Sequence, residues 1–287
     1  MSLWFTHFLN GISFGMLLFL LASGLSLIFG MMRVLNLAHG SFYLLGAYIA
    51  LTVVRQTNNF LLAVLAGPLF IGGVSILLHR FLFQRFYKEV LSQVLLTFGL
   101  IFVFADIALW IWGGNPRMIP QPIFLAKSLN LGGGIVFPAY RLFVIAVGGT
   151  VAVLMWLFLE RTQIGAIVRA GVDDEEMVRG VGINMSLVFM LVFAVGAGLA
   201  GLAGVIGGPV LGVHPGVDLE VMLLAFVVII IGGLGSLKGA FVGSLIVGLI
   251  DNFGRALLPQ FALFTIFVPM AIILMVKPTG LFGKEVE

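Results

Sequence analysis

The chain has no cysteine, and only 9% of its 287 residues are charged. The first absence removes disulfides, thiolate nucleophiles and cysteine metal sites. The second excludes a water-soluble domain, because such domains carry roughly 25% charged residues and this chain could not cover its surface with polar groups. Histidine is also sparse. His7, His39, His79 and His214 fall in different segments, and no His-x-x-x-His or Glu-x-x-His pair sets two metal ligands on one helix face. No Gly-x-Ser-x-Gly elbow is present. The nearest approach to a phosphate loop, GGLGSLKG, puts Leu237 rather than Gly before Lys238, so it is not a Walker motif. A membrane enzyme is therefore unsupported. The N-terminal MSLWFTH lacks a basic region, so no cleaved signal peptide is expected.

What the chain has is oil: 61% of it is hydrophobic. Apolar stretches of about 20 residues cross a hydrocarbon core as helices, whose backbone groups are satisfied internally. A β-barrel would alternate apolar and polar residues, and runs such as VLMWLFLE and LLAFVVIIIGG do not. The pattern predicts an all-α polytopic membrane protein with nine hydrophobic segments, near 8–29, 35–54, 60–78, 91–112, 142–159, 186–207, 219–235, 238–253 and 261–276. Eight full spans plus one broken or re-entrant segment is an equal reading, because the second opens on the polar RVLNLAHGS and the seventh and eighth abut. The formal charge of +3 and pI near 9.4 do not indicate nucleic acid, since the few charges lie between the apolar runs. Placing residues 161–184 in the cytoplasm gives the inner side Arg33, Arg80, Arg85, Lys88, Arg161, Arg169, Arg179, Lys238, Lys277 and Lys284. The outer side receives Arg55, Arg117, Lys127, Arg141 and Arg255. Ten against five follows the positive-inside bias. The N-terminus is then outside, the C-terminus inside, and the Gly/Pro-rich loop 113–140 outside. Trp110, Trp112 and Tyr140 flank that loop, as an interfacial aromatic belt would. No second domain is indicated, and residues 1–287 read as a single transmembrane domain.

The string RTQIGAIVRAGVDDEEMVRGVGIN (161–184) holds seven of the 27 charged residues. It reads as two short amphiphilic helices, Thr162–Ala170 and Asp173–Gly182, joined near Gly171. Asp173 is placed to cap the second, with Asp174, Glu175 and Glu176 in its first turn and Arg179 near its end, where the helix dipole favours each sign. A solvated loop is the plainer reading; a rigid knob for a soluble partner is the sharper one. Glycine is abundant, with 38 residues. GISFG (11–15), GVIGG (204–208) and GAFVG (239–243) carry Gly-x-x-x-Gly spacing, which allows close helix packing within the subunit, or a subunit interface or smooth path. Of the acids, Asp106 and Asp251 lie within or near spans; Asp251 and Arg255 form an i,i+4 pair, and a structural role is the simpler account of both. HGSFYLLGAYIA (39–50) weakly echoes KGAFVGSLIVGL (238–249). Paired Gly-interrupted segments point to a transporter's central path.

GLSLIFGMMRVLNLAHGSFYLLGAYIA (24–50) resembles the N-terminal signature of the permease subunits of branched-chain amino acid ABC importers, the LivH/LivM family. LLTFGL (95–100), RTQIGAIVRA (161–170), LAGLAGVIGGP (199–209) and IIIGGLGSLKGAFVGSLIVG (229–248) match the same pattern in order. The resemblance implies a bacterial inner-membrane importer. A homologous second permease of the LivM type, two cytoplasmic ABC ATPases and a periplasmic substrate-binding protein complete it. The chain itself then needs no cofactor, because the ATPases bind ATP and Mg. Residues 161–184 become the coupling segment that seats on an ATPase, through Thr162, Gly165, Arg169, Ala170, Asp174, Glu176, Gly182 and Ile183. Val178 stands where a small Ala is usual, and Gly171 and Gly180 replace less flexible residues, which bears on which ATPase fits. The translocation path is expected beside the interrupted segments, near Asn36, His39, Ser41, Thr97, Gly232, Gly233 and Ser236. Asn36 and His39 equally suit a hydrogen-bond network that only stabilises a helix start. Branched-chain amino acids are the default substrate, with urea, amides and small carboxylates as alternatives within the family. A stand-alone channel or secondary carrier is the alternative of a different class.

Overall fold

The computed structural model describes residues 2–33, 35–87, 89–130, 132 and 135–283. Lys88 and Lys284, counted above on the inner side, lie outside the described residues. Among the described residues the chain forms eleven α-helices: α1 (Ser2–Met32), α2 (His39–Thr57), α3 (Phe60–Phe81), α4 (Val90–Trp112), α5 (Ala139–Arg161), α6 (Gln163–Asp173), α7 (Glu175–Gly180), α8 (Met185–Leu211), α9 (Val217–Gly232), α10 (Leu237–Leu257) and α11 (Ala262–Val276). Each of the nine expected hydrophobic segments is a helix. Six of them, α1, α3, α4, α5, α8 and α10, are long and apolar enough to cross a bilayer. The 19 residues of α2 are long enough but too polar, and α9 and α11 have only 16 and 15 residues.

The centre is built on α1 and α8. Both are buried over most of their length, and α2, α3, α9 and α10 surround them. Glycine makes this possible. Gly11 and Gly15 of α1 lie against Gly248 and Ser244 of α10, close enough that an added methyl would come within 3.1 Å and 2.7 Å of the facing carbonyl oxygens. The Gly-x-x-x-Gly spacing therefore serves packing inside the subunit, where small residues let backbones approach closely. By contrast α3, α4 and α5 each expose one apolar face. Leu69, Leu91 and Trp110 are among the exposed residues.

The second segment starts later than expected, at His39 rather than near residue 35. Arg33 leaves α1 with φ 53°, a left-handed conformation that ends the helix. Asn36 Oδ1 then accepts a hydrogen bond from the Ala38 amide at 3.1 Å, which turns the chain into α2. Asn58, also left-handed, closes α2, and Asn59 caps α3 by accepting from the Leu62 amide at 3.1 Å.

The loop after α4 carries a short hairpin, β1 (Ser128–Asn130) antiparallel to β2 (Val136–Pro138). Arg117 and Val213 exchange backbone hydrogen bonds of 2.8 Å, tying this loop to the α8–α9 connection. The expected aromatic belt is only partly present. Trp110 is exposed, but Trp112 stacks on Tyr48 and its Nε1 donates to Thr52 Oγ1 at 2.8 Å. Tyr140 is buried and donates to the Ile206 carbonyl at 2.8 Å. Each turns inward because a protein acceptor satisfies its polar tip.

Candidate functional site

The charged island forms α6 and α7, as expected, but with a different joint. Thr162 caps α6: its Oγ1 accepts from the Gly165 amide at 3.0 Å. The helix runs straight through Gly171, which is buried rather than a hinge. A methyl there would come within 2.6 Å of the Met185 Cε and 3.0 Å of the Met31 Cε, so glycine lets α6 lie against α1 and α8. The break falls at Asp174, which leaves the helical region (φ −149°, ψ 99°). Asp174, not Asp173, caps α7, and its Oδ1 accepts from the Met177 amide at 3.0 Å. Asp173 is instead the last residue of α6.

Of the eight expected docking residues, Thr162, Arg169, Ala170, Asp174, Glu176 and Gly182 are exposed along one ridge, and Ile183 is half-buried beneath it. Gly165 is buried. A methyl on it would come within 2.3 Å of the Phe158 carbonyl, so its role is to seat α6 against the end of α5. Arg169 lies 3.6 Å from Glu160, an exposed pair. Gly182 (φ 87°) makes the turn out of α7, a conformation glycine adopts without strain. The ridge also contains what charge counting missed. Met177 and Val181 are 71% and 72% exposed. Met177 lies on α7 and Val181 directly follows it, so both apolar side chains stand clear of the packed core. The signal was in the sequence, as apolar residues four apart on a charged helix.

α7 is braced from below. Arg179 Nε donates to Glu175 Oε1 at 2.7 Å, and its guanidinium lies 5.3 Å from the centre of the Tyr87 ring. The Tyr87 hydroxyl donates to the same Glu175 carboxylate. Partial burial, with the Glu175 carboxylate beside it, pushes the Tyr87 hydroxyl above the usual phenol range. The hydrogen bond to Glu175 raises Arg179 further, so the guanidinium stays charged.

The expected path residues divide into two groups. Asn36, His39, Ser41 and Thr97 are all buried and meet at one junction. Thr97 Oγ1, on α4, accepts from the Leu37 amide at 3.2 Å, and His39 Nε2 lies 3.0 Å from the Leu21 carbonyl of α1. Among the described residues, Asn36 Nδ2 and His39 Nδ1 have no hydrogen-bond partner. Ser41 donates to Asp218 Oδ2 at 3.2 Å. Asp218 is itself buried, in the first turn of α9. Its carboxylate faces the start of α2, where a helix N-terminus favours negative charge. The sequence reading overlooked this acid among those near spans. Gly40 shows how tight the junction is: a methyl there would stand 2.3 Å from the Asp218 carbonyl. Asp106, in contrast, is exposed on α4. Asp251 is buried, with both its oxygens within 2.9 Å of Arg255 Nε, the expected i,i+4 pair.

Gly232, Gly233 and Ser236 sit elsewhere, at the α9–α10 turn. Gly233 has φ 105°, and Ser236 Oγ caps α10 by accepting from the Gly239 amide at 3.0 Å. The chain end folds back here: the Leu281 and Phe282 amides donate to the Ile231 and Gly232 carbonyls, each at 2.9 Å. That contact satisfies carbonyls a helix end leaves open. Ser236 lines an open cavity of about 790 Å³, with Gly30, Trp156, Arg169 and Lys238 around it.

The family model for the branched-chain amino acid transport system permease component matches residues 7–276. The chain belongs to this family. Among relatives, it is 27% identical to the high-affinity branched-chain amino acid transport system permease protein BraD of Pseudomonas aeruginosa, covering 97% of this chain and 95% of that one. Identity to LivH of Escherichia coli K12 is also 27%, over 100% and 99% of the two chains. The ribose import permease protein RbsC of the same organism is 27% identical over 91% of this chain and 78% of its own. No solved structure matches. The chain is therefore a multi-pass membrane permease component of a transport system.

Proposed function

We propose that this chain is the membrane-spanning subunit of an ATP-driven importer that brings branched-chain or related amino acids into the cytoplasm. The observation that carries the reading is the family match over residues 7–276 in a chain that also holds out one braced, capped knob, α6–α7. Relatives named for branched-chain amino acid transport align over nearly their full lengths, whereas the ribose permease aligns over 78% of its own. On this reading residues 1–287 are one transmembrane domain, and 161–184 is its coupling segment. Two cytoplasmic ATPases bind ATP and Mg, and one of them seats on this chain's ridge through Arg169, Ala170, Asp174 and Glu176, with Met177 and Val181 as apolar anchors. A homologous second permease and a periplasmic binding protein complete the assembly. The protein lies in a bacterial inner membrane, N-terminus outside and C-terminus in the cytoplasm.

Transport is alternating access: closure of the ATPase pair moves α6–α7, and the permease pair rocks about its path. The junction of Asn36, His39, Ser41, Thr97 and Asp218 supports a place on that path. Interrupted helices there hold buried polar atoms, two of them without a partner among the described residues, that an amino acid's charged ends could meet. The cavity beside Ser236 supports an inner mouth. The test is purification from native membranes in mild detergent with mass spectrometry of what accompanies the chain. A homologous permease and P-loop ATPases are expected. A chain that stands alone and still transports would overturn the reading and make it an autonomous carrier.

A further inference from the structure

We propose that Arg33 is a positioning residue that transmits movement of α6 to the interrupted segment leading into α2. The inference rests on the reading of α6–α7 as the ATPase-docking ridge.

The starting observation is a backbone outlier. Arg33 has φ 53°, and its amide donates to the Phe29 carbonyl at 2.8 Å, so it closes α1 in the left-handed conformation. Glycine or asparagine usually fills that position, because a larger L-residue there is strained. Strain of this kind persists where surrounding structure holds it. Here the arginine side chain reaches across to α6, and its Nη2 lies 3.4 Å from the Val172 carbonyl. Val172 is in the last turn of α6, where open carbonyls carry partial negative charge and favour a cation. Arg33 also lines the two cavities at this junction, of about 310 and 790 Å³. The contact between Arg33 and Val172 thus has space on either side in which to shift.

A second tie leaves the ridge separately. Tyr87 binds Glu175 of α7, and the neighbouring Phe86 carbonyl accepts from Gln93 Nε2 of α4 at 2.7 Å. One turn along α4, Thr97 Oγ1 accepts from the Leu37 amide at 3.2 Å. Both ties end beside Asn36 and His39, one through the chain from Arg33 and one through α4. Arg33 supplies the element with two arrangements that transmission needs. When α6 withdraws, Arg33 relaxes to the right-handed region, α1 gains a residue, and the segment from 35 to 38 is drawn away from Thr97. When α6 returns, the left-handed conformation is restored.

The test uses the complete importer in liposomes, with its ATPases and binding protein. Three quantities are measured: ATPase subunits retained, ATP hydrolysed, and leucine taken up per ATP. Arg33→Gly keeps the left-handed backbone without strain and removes the tie. It should retain the ATPases and lower uptake per ATP by about tenfold, within the usual range of coupling between sites. Arg33→Lys, which keeps the charge and much of the reach, should recover most of the ratio. Tyr87→Phe, which cuts only the parallel tie, should lower the ratio on its own. Uptake per ATP unchanged in Arg33→Gly with ATPases bound overturns the proposal. So does loss of the ATPases from Arg33→Gly, because that makes Arg33 part of the docking surface. If the unaltered chain holds no ATPases, the docking reading itself has failed, and that outcome is distinct from both.

Discussion

The crossing of α2 on α8 is the place to test whether close backbone packing holds the centre together. Adding one methyl at Gly204 of α8 would put a carbon 2.0 Å from the Tyr43 carbonyl oxygen and 2.8 Å from the Ala47 nitrogen, both backbone atoms of α2. A carbon–oxygen contact settles at about 3.3 Å, so Gly204→Ala forces the helices apart by roughly 1.3 Å. No side chain can swing away to absorb this. The same widening loosens the contact one turn along, where Gly46 faces Gly201, and a gap of 0.5–1 Å already forfeits a quarter to a half of the attraction between facing atoms. Overpacking costs about 1–3 kcal/mol, against roughly 1 kcal/mol that alanine returns through helix propensity. The expected net loss is about 0–2 kcal/mol against the unaltered chain, and about 1–3 kcal/mol against a glycine-to-alanine change that meets no neighbour, read as a lower melting temperature by fluorescence-detected gel filtration in detergent. Gly99→Ala on α4 is the control. Nothing lies within 4 Å of its new methyl, so only the propensity gain remains. If Gly204→Ala melts as high as Gly99→Ala, the crossing is more compliant than this geometry allows and the packing argument fails.

Reversing Arg169 to Glu together with Glu176 to Arg should release the ATPases or uncouple hydrolysis from uptake, while membrane insertion stays normal. Unchanged uptake would remove these residues from the docking ridge. Asp174→Ala removes the cap of α7 and should cost about 1 kcal/mol of local stability. Faster amide exchange confined to residues 175–180 would report it. Asp218→Ala leaves the buried Ser41 hydroxyl without its acceptor and should cost about 1–3 kcal/mol. Adding Ser41→Ala should recover part of that in a double-mutant cycle, and strict additivity would show that the hydrogen bond carries no coupling. Because the chain has no native cysteine, single cysteines at Thr57 and Ala170, both exposed, give a clean label. A membrane-impermeant maleimide should reach Thr57→Cys from outside intact cells and Ala170→Cys only after lysis. The reverse pattern would invert the topology.

Most of the fold was legible because lipid imposes one rule, that each spanning backbone satisfies itself, and apolar runs of helical length follow from it directly. The boundaries that moved are those fixed by local hydrogen bonds rather than by hydropathy. The start of α2 shifted because Asn36 spends its side chain on the Ala38 amide. The joint of the island moved from Gly171 to Asp174 because Met31 and Met185, distant in sequence, press α6 flat against them. No local pattern tells a glycine that bends a helix from one that lets another helix in. Trp112 and Tyr140 misled for a related reason. Their amphipathic rings suit the membrane interface and the protein interior equally, and only the position of Thr52 and the Ile206 carbonyl decides between them.

The site was legible in part, and the division has a physical cause. Exposed charge declares itself in a sequence this apolar, so composition and capping rules were enough to expect two short helices across 161–184, while the residues proposed to dock came from the family resemblance. A buried polar junction does not, because its members are contributed singly by separate helices. Asn36, His39 and Ser41 lie within six residues and could be read together. Thr97, 60 residues from Leu37, was expected beside them through the family resemblance, whereas Asp218, 177 residues from Ser41, was missed, because only the approach of α9 to the start of α2 brings it there. Gly40 is what permits that meeting, since any side chain there would displace α9 from the start of α2. The same reasoning separates Gly232 and Gly233 from the junction. Their glycines serve the α9–α10 turn and the returning chain end, so similar Gly-interrupted stretches in one chain need not line the same surface.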